Sequence, residues 1–312
     1  MIAYAVLPML AALLGFALAR SNSCTVEATA QLIEERKLDF LAGLLLAAAS
    51  AGLVLAALAL ADPDDPSLPM HFQPGWAPLA GGAVMGLGAL VNGRCMLGSI
   101  TVLGRGNLNY LFTLAGIAAA LLATPRIYRL PVAGDGTGMA SFGELPPLSV
   151  LLATMALVLI IGGSRLWRGE RGSTFYLVLA GISGAALFAA NPQWSYLAAI
   201  DRAVRGEVLG AMAEYDVAAV ALFAGATLSA WLRDRFDLAM VAPGQAFACF
   251  VGGAAMAVGA LIIPGGNDTL LLWTIPGLAG YGLIAYAAMI AVIAVGLVVR
   301  RAARRRSSQL TD

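Results

Sequence analysis

The sequence predicts an all-α, polytopic membrane protein of about nine transmembrane helices with broken or re-entrant segments, built as an inverted-topology internal repeat in a 4+1+4 order. Three observations predict it. The 312 residues are 60% hydrophobic and 12% charged, with a mean hydropathy of +0.83, which is not the composition of a water-soluble globule. Apolar runs close to the ~17 to 25 residues that a ~30 Å hydrocarbon core requires recur along the whole chain. A glycine-rich pattern from the first half also returns in the second.

Taken in order, the runs fall at 2–19, 40–61, 76–92, 108–123, 148–163, 174–190, 215–232, 244–263 and 281–299, the fourth and fifth being short. The first lacks the basic start and small-residue cleavage site of a secretory leader and is expected to remain as a helix. Basic residues gather at Arg20, Arg36 and Lys37, at Arg94 and Arg105, at Arg165, Arg168 and Arg171, at Arg233 and Arg235, and in a tail from Arg300 to Arg306. With nine crossings all these clusters share one side, which the positive-inside rule makes cytoplasmic. The expected location is the cell inner membrane, with the N-terminus outside and the C-terminus inside. The net charge of +1, without a continuous basic stripe, carries no nucleic-acid signature.

The repeat is read from Gly81–Leu90, which returns as Gly252–Leu261 at an offset of 171 residues (82 to 253). The same offset sets Gly106 opposite Gly277 and Tyr110 opposite Tyr281. Gly15 followed by Asn22 matches Gly184 followed by Asn191, at 169. The expected organisation is a first repeat over 1–123, a linker loop and connecting helix over 124–173, a second, inverted repeat over 174–300 and a basic tail over 301–312. Five spans separate each helix from its mate, and an odd separation inverts the copy. Transporters built this way bind substrate near the midplane, where helices are interrupted.

Interruptions are visible as polar, glycine-rich breaks between apolar runs. The first is Ser21-Asn22-Ser23-Cys24-Thr25, ahead of a short helical segment from Val26 to Ile33. Ser, Asn and Thr favour helix N-caps, so Cys24 is expected in or beside a first turn, where the helix dipole stabilises negative charge. The second is Asn92-Gly93-Arg94-Cys95-Met96-Leu97-Gly98-Ser99, whose glycines let backbone amides approach a ligand while Arg94 and Arg105 supply positive charge. Positive-inside placement alone would also put arginines there. The second half has Asn191-Pro192-Gln193-Trp194 and Pro264-Gly265-Gly266-Asn267-Asp268-Thr269. Gly266 aligns with Cys95. Asp268, an acid between apolar runs, is expected either to line the pathway or to be an exposed loop acid or the N-cap of the helix starting near Leu270. The candidate substrate-binding residues are Asn22, Ser23, Cys24, Gly93, Arg94, Cys95, Gly265, Gly266, Asn267 and Asp268. Cys249, in an apolar run, is expected to be a packed thiol. Three cysteines without metal spacing indicate neither a disulfide framework nor a metal site, and no cofactor is expected. Trp167, Trp194, Trp231 and Trp273, near span ends, are expected as interfacial anchors, and His71 as a loop residue without a role in the chemistry.

Ser-Asn-Ser-Cys24 and Asn-Gly-Arg-Cys95 in a duplicated membrane chain, with Pro264–Asp268 followed by Leu270–Trp273, resemble the YeeE/YedE family, also called the sulphur-transport family. The resemblance implies thiosulfate uptake in which cysteines relay the anion through S–H hydrogen bonds to sulfur, with Cys24 and Cys95 as two relay points. Uptake members of the family place a third cysteine in the second half. Here that repeat position is Gly266, so a related sulfur compound also fits.

The leading expectation is therefore a permease, not an enzyme, for thiosulfate or a related small sulfur-containing anion. The alternatives are an intramembrane persulfide or redox protein and a membrane sensor of sulfur compounds. Absence of a Walker A pattern argues against direct ATP drive, and absence of G-x-S-x-G or H-E-x-x-H argues against hydrolysis. Expected partners are the anion, membrane lipid and a cytoplasmic sulfur-carrier protein.

Overall fold

A computed structural model of the chain describes residues 2–21, 23–62, 68–69, 75–124, 146–192, 194–207 and 213–309. Among these residues thirteen α-helices follow one another: α1 (Ile2–Ser21), α2 (Thr25–Glu35), α3 (Asp39–Ala61), α4 (Trp76–Asn92), α5 (Met96–Gly104), α6 (Leu111–Ala123), α7 (Pro147–Trp167), α8 (Arg171–Ala190), α9 (Tyr196–Val204), α10 (Ala213–Trp231), α11 (Pro243–Ile262), α12 (Asn267–Thr269) and α13 (Gly280–Gln309). A 3₁₀ turn, Leu108–Tyr110, leads into α6, and a π-helical turn, Leu270–Thr274, continues α12. The only strand-like pairing among the described residues is an isolated bridge between Asn107 and Ala239, which ties the α5–α6 loop to the α10–α11 loop.

Each of the nine apolar runs falls on one of the longer helices, overrunning it by no more than three residues, and the breaks between them carry the short ones. Among the described residues seven helical stretches are long and apolar enough to cross a membrane, and two shorter apolar helices span Leu108–Ala123 and Tyr215–Trp231. The fifth run is longer than expected. The Gly162-Gly163-Ser164-Arg165 sequence does not end it, because Arg165 folds inward. Its guanidinium donates to the Asp39 carbonyl at 2.6 Å and pairs with Glu170, so α7 continues to Trp167. Proline at the first position of α7 and α11 suits a place where no intrahelical N–H is needed. At the other end of the chain α13 runs unbroken through Arg300 to Arg306, since Ala and Arg are good helix formers.

The long helices pack through small residues, as lipid-embedded helices do when van der Waals contact replaces the hydrophobic effect between them. At the α4–α11 crossing Gly81 lies against the Gly259 carbonyl and Gly88 against the Gly252 carbonyl, where a methyl group would come within 2.9 and 2.7 Å of those oxygens. Rising residue numbers on α4 meet falling numbers on α11, so the two are antiparallel. Gly82 against Ala285 and Gly86 against Met289 set α4 parallel to α13. Gly43 against Leu177 and Gly181 against Ala47 set α3 parallel to α8, while Gly43 near Arg165 and Gly52 against Thr154 set α3 antiparallel to α7. These directions are those of helices that alternate along the chain.

The packing has a pairwise regularity. Starts of the short helices are related by the repeat offset: α2 to α9 (25 to 196) and α5 to α12 (96 to 267) are both 171 residues apart. Under that offset Gly81 maps to Gly252 and Gly88 to Gly259, so the two contacts at the α4–α11 crossing exchange with each other. The pairing of α1 with α10 likewise has its counterpart in α8 with α3, and α4 with α13 in α11 with α6.

Candidate functional site

The first break ends α1 at Ser21 and starts α2 at Thr25, with Cys24 as the N-cap in an extended conformation (φ −112°, ψ 120°). The second ends α4 at Asn92, where Gly93 takes the left-handed C-cap conformation (φ 76°) that glycine adopts without strain. Cys95 then caps α5. The two N-caps converge. Cys24 and Cys95 are 2% and 0% exposed, their sulfurs 3.7 Å apart, with Cys95 Sγ–H donating to Cys24 Sγ. Two backbone amides, Thr25 N–H at 3.3 Å and Gly98 N–H at 3.4 Å, donate to Cys95 Sγ. One sulfur therefore faces the first turns of both α2 and α5, a setting that favours negative charge on a bound sulfur species.

Neighbouring side chains hold this arrangement. Asn92 donates through Nδ2 to the Arg94 carbonyl at 2.7 Å and to Ser99 Oγ at 2.8 Å, and its Oδ1 accepts from Thr113 Oγ1 at 2.7 Å. Thr25 Oγ1 and Tyr286 OH share a hydrogen bond of 2.9 Å, tying α2 to α13. Ser23 is buried, its hydroxyl 2.6 Å from that of Ser21, and Asn22 lies outside the described residues. Arg94, immediately before Cys95, is ion-paired with Glu27, three residues after Cys24, and both side chains are about one-third exposed (29% and 33%). Gly98 touches Cys24 directly: a methyl group there would lie 2.6 Å from Cys24 Sγ.

The second-half breaks build the other wall. Gly266 caps α12 with φ −76° and ψ 174°, the backbone shape of Cys95 (φ −75°, ψ 175°), and Ser195, 171 residues after Cys24, caps α9 by accepting from Ala198 N–H at 3.0 Å. A cavity of about 670 Å³ opens between α9, the end of α11 and α12, walled by Trp194, Ser195, Asp201, Arg205, Gly265 and Gly266 among others. Arg205 is held by Asp201 at 2.7 Å. At its inner end Gly266 abuts the residue after Cys95, since a methyl group on Gly266 would lie 3.0 Å from Met96 Sδ. Behind it Asn267 is fully buried and Asp268 is 5% exposed. Neither Asn267 side-chain polar atom, nor Asp268 Oδ1, nor Trp194 Nε1 has a hydrogen-bond partner among the described residues. Buried polar atoms are almost always paired, so this cluster is one that a bound polar species would satisfy.

Several expectations change. Asp268 is not the cap of its helix, because Gly266 occupies that position and turns the acid inward. Trp194 and Trp273 are not interfacial anchors: they are 2% and 5% exposed and pack on Phe188, with ring centroids 6.0 and 5.7 Å away. Trp167 and Trp231, 90% and 68% exposed, do stand outward. Cys249 is fully buried in α11. His71 falls outside the described residues. Thr25, Glu27, Gly98 and Tyr286 join the candidate site without having been among its candidate residues, and Trp194, expected as an anchor, walls the cavity. For Gly98 the signal was its spacing, three residues after Cys95, which is where an N-cap acceptor finds its donor.

Residues 20–200, more than half of the chain, match the family model described as sulphur transport. The chain belongs to that family. No curated protein matches it. The matched stretch holds both cysteine breaks and reaches Ser195, whereas Gly265 to Asp268 lie beyond it. Membership and the succession of apolar helices make this a multi-pass membrane protein of a sulfur-transporting family.

Proposed function

We propose that the protein is a permease for thiosulfate or a closely related small sulfur anion, and that Cys24 and Cys95 contact it directly. The observation that carries this reading is the pair of buried thiols 3.7 Å apart, one of them facing two helix N-termini. A soft S–H group suits a terminal sulfur better than a hard hydroxyl does, and backbone N–H groups suit the charge. The route runs from the cavity beside α9, past Gly266, Asn267 and Asp268, to Met96 and the thiols, and leaves past the Arg94–Glu27 pair. With the basic clusters cytoplasmic, the cavity is the outer mouth and the ion pair the inner one. The duplicated packing supports an inverted repeat, with the thiols on the first copy and an acid on the second.

Proteoliposomes containing the purified protein should take up labelled thiosulfate saturably, and unlabelled thiosulfate should compete while sulfate competes poorly. Sulfate competing equally would remove the role given to the thiols, and no flux with any sulfur anion would remove the permease.

In this reading Glu27 holds Arg94 in place of the passing anion. The Glu27→Gln variant should let a negatively charged thiol reagent reach Cys24 or Cys95 from the inner side two- to five-fold faster, the factor that ~0.5–1 kcal/mol of a partly exposed ion pair provides. Unchanged labelling would show that the pair does not close the route.

A further inference from the structure

The carboxyl group of Asp268 is buried and titratable, and recognition by the thiols leaves it without a task. Its place in the repeat supplies one. Gly266 has the backbone shape of Cys95, yet a methyl group built on it would overlap Asp268 Oδ1. The carboxyl oxygen of the second copy therefore fills the space into which the Cys95 side chain projects in the first. Where one copy offers the anion a thiol, the other offers it an acid.

Among the described residues no cation is placed against this acid. Asp268 is 5% exposed and its Oδ1 has no donor, and neither polar atom of the adjoining Asn267 side chain has a partner. The titratable groups that face it are the Cys95 thiol at the start of α5 and the Tyr196 hydroxyl at the start of α9, and the Leu270–Thr274 turn that continues α12 carries none. Beyond Gly266 the cavity wall holds Asp201, Arg205 and Glu207. Arg205 is paired with Asp201 at 2.7 Å and donates to the Leu121 carbonyl at 3.0 Å, so it is engaged elsewhere. A carboxylate inside a membrane without a counter-cation is costly, and the ordinary remedies are a proton or a bound metal cation. The ligand that must pass decides between them. An anion is repelled by a carboxylate at this station, whereas a protonated acid has an O–H to donate to it. The unpaired donors Asn267 Nδ2 and Trp194 Nε1 likewise suit an anion and give nothing to a metal cation.

Resting on the permease reading above, we propose that Asp268 is the proton-binding group of the transporter and that each anion enters together with a proton. The acid takes its proton from the outer cavity, donates the O–H to the anion beside Gly266 and Asn267, and releases the proton inward after the anion has moved on to Cys95 and Cys24. The carboxylate left behind is then protonated again from the outer side. Acids at interrupted helices near the midplane serve this purpose in other inverted-repeat carriers.

Two measurements test this, one of them independent of flux. In proteoliposomes loaded with pyranine and clamped at zero potential with potassium and valinomycin, external thiosulfate should acidify the lumen as it enters, and an inside-alkaline gradient should raise its accumulation. In Asp268→Asn the protons entering per thiosulfate should fall by about one, whatever rate remains. In detergent, thermal stabilisation by thiosulfate should have a half-saturating concentration that rises by up to about tenfold per pH unit on the alkaline side in the wild type, and that is nearly flat in Asp268→Asn. The Cys95 thiol is present in both proteins, so the difference between them reports the acid. Asp268→Glu, which keeps the acid, should keep both signatures. Wild-type flux without acidification of the lumen, or the same pH dependence of binding in wild type and Asp268→Asn, would overturn the proton site. So would loss of binding at every pH by folded Asp268→Asn, because the amide mimics the neutral acid and keeps a donor. A sodium gradient driving accumulation where a pH gradient does not would overturn the proton in favour of a metal cation. Wild-type protein that neither binds nor moves any sulfur anion would remove the permease reading and this proposal with it.

Discussion

Replacing Cys24 or Cys95 by serine should lower thiosulfate uptake by about tenfold or more, the consequence of losing roughly one hydrogen bond's worth of stabilisation of a charged group, while protein abundance stays near wild type. Serine keeps a donor and nearly the same shape in a site where both side chains are almost fully buried. What changes is the atom. Oxygen is harder and more strongly hydrated than sulfur, so it competes for the oxygens of the anion and not for its terminal sulfur. Cys95→Ser should be the more severe of the two, because Thr25 N–H and Gly98 N–H both converge on that sulfur. Cys249→Ala provides the contrast. It removes an equally buried thiol of α11 that lies beside Thr113, one side chain removed from Asn92, so it should reduce folded protein slightly and leave flux per molecule near wild type. Full transport by a Cys24→Ser/Cys95→Ser double variant would leave backbone amides and Arg94 as the only recognition elements.

The helices were legible because lipid imposes length and apolarity on every crossing, and these two properties survive without any knowledge of partners. The breaks were legible for the same reason, since Asn92-Gly93-Arg94 cannot sit in hydrocarbon as regular helix facing lipid. The expected N-cap position of Cys24 followed from the capping preferences of its neighbours. What one strand of sequence could not give is which breaks face one another. The approach of Cys24 to Cys95, of Gly266 to Met96 and of Glu27 to Arg94 joins residues 67 or more positions apart in the chain, through crossings fixed by glycines distributed over four helices. Trp194 shows the limit most clearly. Near the end of a run its sequence position fits an interfacial anchor, and only its packing on Phe188 turns it into the wall of a cavity. Asp268 was legible as costly but not as uncapped, because its place depends on Gly266 adopting the extended cap conformation that Cys95 has in the other half.

Gly252→Ala should be strongly destabilising, and it should damage the site as well. A methyl group at position 252 would lie 2.6 Å from both the nitrogen and the Cβ of Asn92 and 2.7 Å from the Gly88 carbonyl, all of them far inside van der Waals contact. None of these atoms is the free end of a flexible side chain, so relief requires α4 and α11 to separate. Overpacking of a close-packed crossing costs ~1–3 kcal/mol, and a backbone-to-backbone clash belongs at the upper end of that range. Asn92 is also the residue that holds the Arg94 carbonyl, Ser99 and Thr113, so pushing it aside disturbs the turn that presents Cys95. The expected result is a lower yield of monodisperse protein and a lower unfolding midpoint, with flux per folded molecule also reduced. Gly244→Ala is the matched control. It adds the same methyl group to the first turn of the same helix, at a site with nothing within 4 Å, and should leave yield, midpoint and flux unchanged. Equal behaviour of the two variants would mean that the α4–α11 crossing is looser than the contacts at Gly81, Gly88, Gly252 and Gly259 require, and that the Asn92 network does not depend on it.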